Sequence, residues 1–579
     1  MRIIVLLSVS AVLLFIVGWI GVRGLVAKGE LEAAIPLATT IKKSLLSNEP
    51  ERAATQLATL QSHTATAVSL TGDVIWRAVE LLPVVGSNLT AFREAAEVID
   101  TVSSEALSPV VELAGTIDVS SFKPIDGQIN LDPILDAQDN VALADDVVRD
   151  ALDKTRDIDT SYTLAPVTAA IKQLDKVLAD ASSTLSSVRT TVNLLPGMLG
   201  VDGPRNYLLI FQNNAETRTL GGNPASLALL HVDDGRIDLT SQASSKELRT
   251  GVPALDLDPA LLELYGNNLA PTAITGYVQN ITMIPDFATT ATLAKAMWER
   301  RFGDQIDAVV SFDPVALGYL LGATGEVQMS TGDVLTEDNV VSLLLYEVYG
   351  RYTDFGQQDA FFAEAARGVF DLVKSGKGKS KDLLAAMGKA VAEGRLLVWS
   401  SVAEEQEVIE TTDFSGILPL TNEPTTVVGV YFNDLTTAKI NYFMDATVDV
   451  SAPVCSSGGF DTVATVTLTS RVPVDAATVL PAYVLGASEN GEMYVETVVL
   501  GPIGAAYSTY DPGTGASLVN SGVDKGRPVA RVSMLLLPGE TKTISVTMAS
   551  PAGKYGPLMV KTTPLVTPTA LSQSEGSCT

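Results

Sequence analysis

One stretch concentrates side chains able to do chemistry. After the apolar run Tyr207–Phe211 come Gln212, Asn213, Asn214, Glu216 and Arg218, closed by Gly221 and Gly222. Amides and a guanidinium give directional donors, a carboxylate accepts, and paired glycines let backbone approach a ligand closely. Farther on, Asp286 precedes a helical pattern, where an acid either faces a cation or caps the helix. The candidate ligand-binding set is therefore Asn213, Asn214, Glu216, Arg218, Gly221, Gly222 and Asp286. An equal alternative is structural: the amides satisfy backbone at a sheet end, Glu216 pairs with Arg218, and the glycines serve a turn. No catalytic residue can be named. The chain has no G-x-S-x-G, no H-E-x-x-H, no G-x-G-x-x-G after a strand and no EF-hand loop. His231 lies in a strand pattern with no nucleophile motif near it and reads as structural.

These residues need a scaffold, and the surrounding pattern is α/β. Strands are expected at Tyr207–Phe211, Leu227–Val232, Ile237–Thr240, Ala308–Phe312 and Leu396–Trp399. Helices are expected at Asp286–Phe302, Pro314–Leu321, Thr336–Tyr349, Asp359–Lys374 and Ser380–Glu393. The alternation predicts a mixed-sheet α/β domain over residues 201–424, with the polar cluster at the end of its first strand. The loop Ser375–Lys381 (SGKGKSK) puts Lys377, Lys379 and Lys381 beside Lys374. It lacks the first P-loop glycine, since position 373 is Val373, and reads as a solvated linker.

On either side the texture differs. Ile3–Val22 runs for about 30 Å of helix without a charge, enough to cross a bilayer, and predicts a transmembrane signal anchor over residues 1–23. A cleaved signal peptide is the alternative. Residues 24–200 are rich in Ala, Leu, Val and charged residues at helical spacing, a helical stalk or bundle. Leu81-Leu82-Pro83 and Leu194-Leu195-Pro196 echo one another within it. From 425 to 579, β-branched runs divided by Pro and Gly predict a β-sandwich of immunoglobulin-like type, with Leu537-Pro538-Gly539-Glu540 as a hairpin turn. Asn433–Lys439 reads as the connection into it. Cys455 and Cys578 bracket this region and are a candidate disulfide in an oxidising compartment.

A net charge of −28 repels phosphate backbones and argues against nucleic-acid binding. Two histidines and two separated cysteines argue against a Cys/His zinc site or a haem. No metal or other cofactor is expected.

The runs FQNNAETRTLGG (Phe211–Gly222), PDFATTA (Pro285–Ala291) and IDAVVSFDPVALGYLLGATGEV (Ile306–Val327) resemble an uncharacterised bacterial envelope family, domain of unknown function 4012 (DUF4012). The resemblance implies an N-terminal membrane span, a helical region, this core and a β-rich tail, with no established activity. A fainter likeness, in the order of elements, is to the LytR-CpsA-Psr phosphotransferases, which move glycopolymers from a polyprenyl-pyrophosphate carrier to the cell wall. It implies Arg218 on phosphates and Glu216 or Asp286 on a cation. The second Arg-Asp signature of those enzymes is absent after Ile237–Thr240. The expectation is a single-pass protein of the cytoplasmic membrane with its bulk outside. It would bind envelope polymers or partners without catalysis, the alternative being transfer of a polyprenyl-linked glycan.

Overall fold

The computed structural model describes the chain except residues 1, 47–48, 84, 117–123, 126, 267–271, 453–458, 514 and 575–579; side chains of 2–13, 46, 115–116 and 272 also fall outside the description. Cys455 and Cys578 are among the undescribed residues. The rest divides into two compact units, Met1–Asp202 without a short insert, and Gly203–Thr579 with Pro124–Gln128.

The first unit is helical: α1 Arg2–Leu46, α2 Pro50–Thr71, α3 Val74–Val79, α4 Val85–Thr101, α5 Leu107–Thr116, α6 Asp132–Asp157 and α7 Ala165–Met198. Its seams follow helical periodicity. Ile134, Ala137, Val141, Ala144 and Val148 of α6 are buried in sequence. Small residues set close approaches, as where Ala27, Ala67 and Ala96 meet. α1 and α2 form an antiparallel hairpin, since Arg23 donates to the carbonyls of Ser69 and Leu70 at the end of α2. Among residues with described side chains, no helix is long and apolar enough to cross a membrane. Residues 3–13 of the Ile3–Val22 run lie outside that set.

The second unit opens with β1 Arg205–Arg218, β2 Gly221–Asp233, β3 Arg236–Ser244 and β4 Ala308–Phe312. A short ribbon, β5 Val327–Gln328 with β6 Val334–Leu335, and β7 Leu397–Ser400 follow. Five of these form a mixed sheet in the order β3-β2-β1-β4-β7, with β1 parallel to β4 and the other pairs antiparallel. The helix Phe287–Phe302 packs on it through Phe287, Ala291, Ala294 and Trp298.

The C-terminal strands are β8 Thr426–Asp434, β9 Met444–Ser451, β10 Phe460–Ser470, β11 Met493–Leu500 and β12 Ala506–Asp511. They continue as β13 Ala516–Asp524, β14 Arg527–Leu536, β15 Thr541–Ser550, β16 Leu558–Thr562 and β17 Ala570–Ser574. Two five-stranded sheets result, β12-β15-β10-β9-β17 and β13-β14-β11-β8-β16. Both feed one core: Val430 and Phe432 from one sheet meet Val448, Val466 and Val546 from the other. The central strands β8, β11 and β14 of the second sheet are buried on both faces, because Val427, Tyr431, Val498 and Leu500 join the core of the β1 layer. The mixed sheet and the two C-terminal sheets are thus one unit.

Two expectations change here. Leu537–Glu540 does form a turn, with Glu540 N–H donating to the Leu537 carbonyl. It is not a hairpin, however, since β14 and β15 lie in different sheets and the turn carries the chain across the core. Asn433–Lys439 is not a linker: Asn433, Asp434, Ala438 and Lys439 are buried.

Candidate functional site

The polar cluster does not sit at a strand end. β1 continues through it to Arg218, bending at register shifts between Phe211 and Gln212 and between Asn213 and Thr217. The extra length carries the amides and charges inward, beneath β8 and the loop after it. Gln212, Asn213, Asn214, Thr217 and Arg218 are all buried. A buried polar group needs a partner, and each of these side chains makes at least one such bond, although Asn214 Oδ1 and Arg218 Nε are left without one. Gln212 bonds Ser311 at 2.6 Å and accepts from Gly222 N–H at 2.7 Å. Asn213 donates to the Tyr349 hydroxyl at 2.8 Å. Asn214 donates to Asp313 and to the Pro564 carbonyl, at 2.9 and 2.8 Å. Asp313 in turn caps the helix Pro314–Thr324 through Ala316 N–H and pairs with buried Arg395 at 2.8 Å.

The charged members form an ion quartet. Arg218 reaches Glu216 at 3.1 Å, the Asp434 carbonyl at 3.3 Å and the Asp434 carboxylate at 4.0 Å. The other oxygen of Glu216 takes Lys439 Nζ at 3.0 Å. The Lys439 ammonium stands 5.3 Å from the ring centroids of both Tyr349 and Tyr483. Burial pushes the Glu216 carboxyl up, but Lys439 and Arg218 outweigh it and hold it at about 2. Burial pushes Lys439 down, and Tyr349 and Glu216 more than reverse that, so the ammonium keeps its proton. Asp434 goes the other way: burial raises it to about 6, with Arg218 opposing and Glu216 adding. Burial likewise lifts the Tyr349 hydroxyl to about 12.

The structure thus brings Asn213, Asn214, Glu216 and Arg218 into one connected network. Asp286 does not join it through any of its polar contacts: it accepts from Thr289 Oγ1 at 2.5 Å and pairs with Lys525 at 3.2 Å. It sits at the start of its helix without a side-chain cap bond. Gly221 and Gly222 serve chain packing. Gly221 has φ +130°, and a Cβ on Gly222 would lie 2.2 Å from Asn213 backbone atoms. Lys374 of the lysine loop pairs with Asp238 at 2.5 Å, and His231 bonds Asn206 at 3.0 Å. Sequence reasoning missed Lys439, Asp434, Tyr349 and Tyr483. They lie far along the chain from β1, and the one available signal was a lone lysine inside an otherwise uncharged Leu435–Met444.

Beside the quartet the surface opens. A groove of about 930 Å³ is lined by Tyr346, Glu347, Tyr349, Arg351, Pro481 and Tyr483 among others. Tyr349 and Tyr483 are 5.0 Å apart by ring centroid, and Tyr346 stacks on Tyr442 at 5.4 Å. Glu347 and Arg351 pair at 2.8 Å on its rim. A second cavity of about 290 Å³ lies past Thr219 and Leu220, walled by Leu397, Leu418, Tyr431 and Leu565. Among the described residues no group of three or more His, Cys, Asp or Glu side chains is placed to hold a metal ion.

Fold and site define a multidomain α+β protein whose clustered charges bond to one another inside the chain. Residues 202–349 match the model of the family described as "Protein of unknown function (DUF4012)", and the chain carries that family's segment there. No curated protein matches the chain.

Proposed function

We propose that the protein is an extracytoplasmic, single-pass envelope protein that binds a carbohydrate-rich envelope polymer in the Tyr346–Tyr349–Tyr483 groove, without catalysis. The observation that carries this reading is the contrast at the site. Glu216, Arg218, Lys439 and Asp434 are buried and paired with one another, whereas the tyrosines beside them border an open groove. Tyrosine offers an apolar face and a hydroxyl edge, which suits a sugar ring with its C–H face and hydroxyl rim. Tyr483 is 37% exposed, and the quartet beneath fixes the Tyr349 ring against it. The C-terminal region, read as an immunoglobulin-like module, supplies the second wall through Val479–Tyr483 in the helical connection between β10 and β11.

The membrane anchor of this reading rests on the uncharged Ile3–Val22 run and on α1, where Leu14, Phe15, Val17 and Val22 are exposed. Transfer of a polyprenyl-linked glycan draws no support from the geometry at Arg218, which is buried and whose two terminal guanidinium nitrogens are taken by Thr217, Asp434, Glu216 and Asn280. Detergent-extracted full-length protein should retain isolated cell-wall polysaccharide. Tyr483→Ala should weaken that binding about tenfold, roughly 1.4 kcal/mol, with an unchanged melting temperature. Absence of retention, or equal retention by the variant, overturns the groove. A polyprenyl-linked glycan co-purifying in native mass spectrometry and lost in Arg218→Ala would restore the transferase reading.

A further inference from the structure

The helical unit has an apolar end. Asp73 caps α3, accepting from Trp76 N–H at 2.8 Å, and it also accepts from Trp19 Nε1 at 3.1 Å and pairs with Arg23 at 2.9 Å. Trp76 packs against α1 at Gly24, where an added Cβ would lie 3.6 Å from the indole. The start of α3 is therefore level with Trp19–Gly24, where the uncharged Ile3–Val22 run gives way to Arg23. α4 starts at the same end, since Trp76 Nε1 donates to the Leu89 carbonyl at 3.3 Å. The turn between α6 and α7 joins it there. Ser87 donates to the Tyr162 carbonyl at 2.9 Å, and Leu164 N–H donates to Asn88 at 2.7 Å.

These three turns leave large apolar side chains uncovered, flanked on the outside by exposed Arg77, Asp157 and Asp159. Val74 and Leu81 are each 85% exposed, Leu82 54%, Val85 51%, Tyr162 74% and Leu164 66%. No charged residue occurs between Leu81 and Phe92. Single exposed leucines need no explanation, but six large apolar or aromatic side chains gathered at one end of a bundle do. Their position names the covering phase. They lie at the end of the bundle where the uncharged run of α1 stops, and Trp19 and Arg23, residue types that favour a bilayer interface, are fixed there by Asp73.

We propose that this end is a collar seated in the headgroup and acyl boundary of the leaflet from which α1 emerges. Val74, Leu81, Leu82, Val85, Tyr162 and Leu164 enter the lipid, so that the bundle is held by a ring of contacts and not by one helix alone. The collar rests on the anchor reading, and its test separates the two. Full-length protein carrying Cys455→Ser and Cys578→Ser is given one cysteine at a time, Val17→Cys, Val74→Cys, Leu81→Cys, Leu164→Cys or the mid-helix control Ser183→Cys. Each is labelled with an environment-sensitive fluorophore and reconstituted in vesicles of phosphatidylglycerol and phosphatidylethanolamine with or without brominated acyl chains. Brominated lipid should quench positions 74, 81 and 164 about twofold or more relative to Ser183→Cys, with Val17→Cys quenched most. Quenching at Val17→Cys alone would overturn the collar and leave the anchor. A blue shift at 74, 81 and 164 without bromine quenching would assign the collar to a protein contact. No quenching at Val17→Cys would remove both.

Discussion

Glu216 and Asp434 are two carboxylates touching one arginine, and their environments drive them apart. Glu216 is held at about 2, below its ordinary 4.5. Its contribution to stability is present above pH 4.5 and is lost as pH falls toward 2. Asp434 is raised to about 6 from an ordinary 3.8, so the folded state favours its protonated form. Its contribution is full below pH 3.8 and is lost as pH rises through 6. The two slopes have opposite sign and leave these groups most favourable between about pH 4 and pH 5. Urea titrations across pH 3–8 should show that maximum. Asp434→Asn should flatten the decline between pH 4 and pH 6 and leave the acid limb in place. Glu216→Ala leaves Lys439 and Arg218 buried without their shared acceptor and should lose roughly 3–5 kcal/mol at pH 7. A pH profile unchanged by Asp434→Asn would mean that Asp434 does not titrate in this range.

At the scale of elements, β9 and β17 carry a consequence for the cysteines. They run parallel, with Ala570 opposite Thr447 and Ser574 opposite Ser451. Cys578 and Cys455 each come four residues further along their own segments. Both cysteines lie outside the described residues; with the segments before them paired in this register, a crosslink between them is the expectation to test. Non-reducing peptide mapping of protein from an oxidising compartment should recover the Cys455–Cys578 crosslinked pair, and two free thiols would reject it. That register was not legible beforehand, because β16 and β17 are five residues each and lack a strong apolar alternation. The longer elements were legible for the opposite reason. Ala308–Phe312 stands between Asp307 and Asp313 as the apolar run predicts, and the helix expected over Asp286–Phe302 runs Phe287–Phe302. The sequence misled at β1. Five polar residues after Phe211 read as a loop, because their burial depends on acceptors and donors supplied from 99 to 350 residues away, such as Ser311 and the Pro564 carbonyl. Composition sees the polarity of such a segment and not its partners.

At the scale of the molecule, the two units draw stability from different sources. The helical unit is held by small seams rich in alanine, such as Ala27 with Ala67 and Ala96, and by the Arg93 hub, which pairs with Glu80 at 2.7 Å and Glu97 at 2.8 Å. The second unit is held by two large cores that share β8, β11 and β14, with the Glu496–Arg531 pair, at 2.5 Å, buried on those strands. Cores without common residues need not melt together. Calorimetry of the detergent-solubilised chain should therefore resolve two transitions. Arg93→Ala should lower one of them, removing a hub that is buried but borders solvent through Glu94 and Glu97. Glu496→Ala should lower the other by more, since it strands the Arg531 guanidinium in a nearly water-free site, a loss of roughly 3–5 kcal/mol. A single transition shifted equally by both substitutions would show that the cores are energetically coupled. The charge networks of each unit would then stabilise the whole chain, and a ligand bound in the tyrosine groove would protect the helical unit as well as its own.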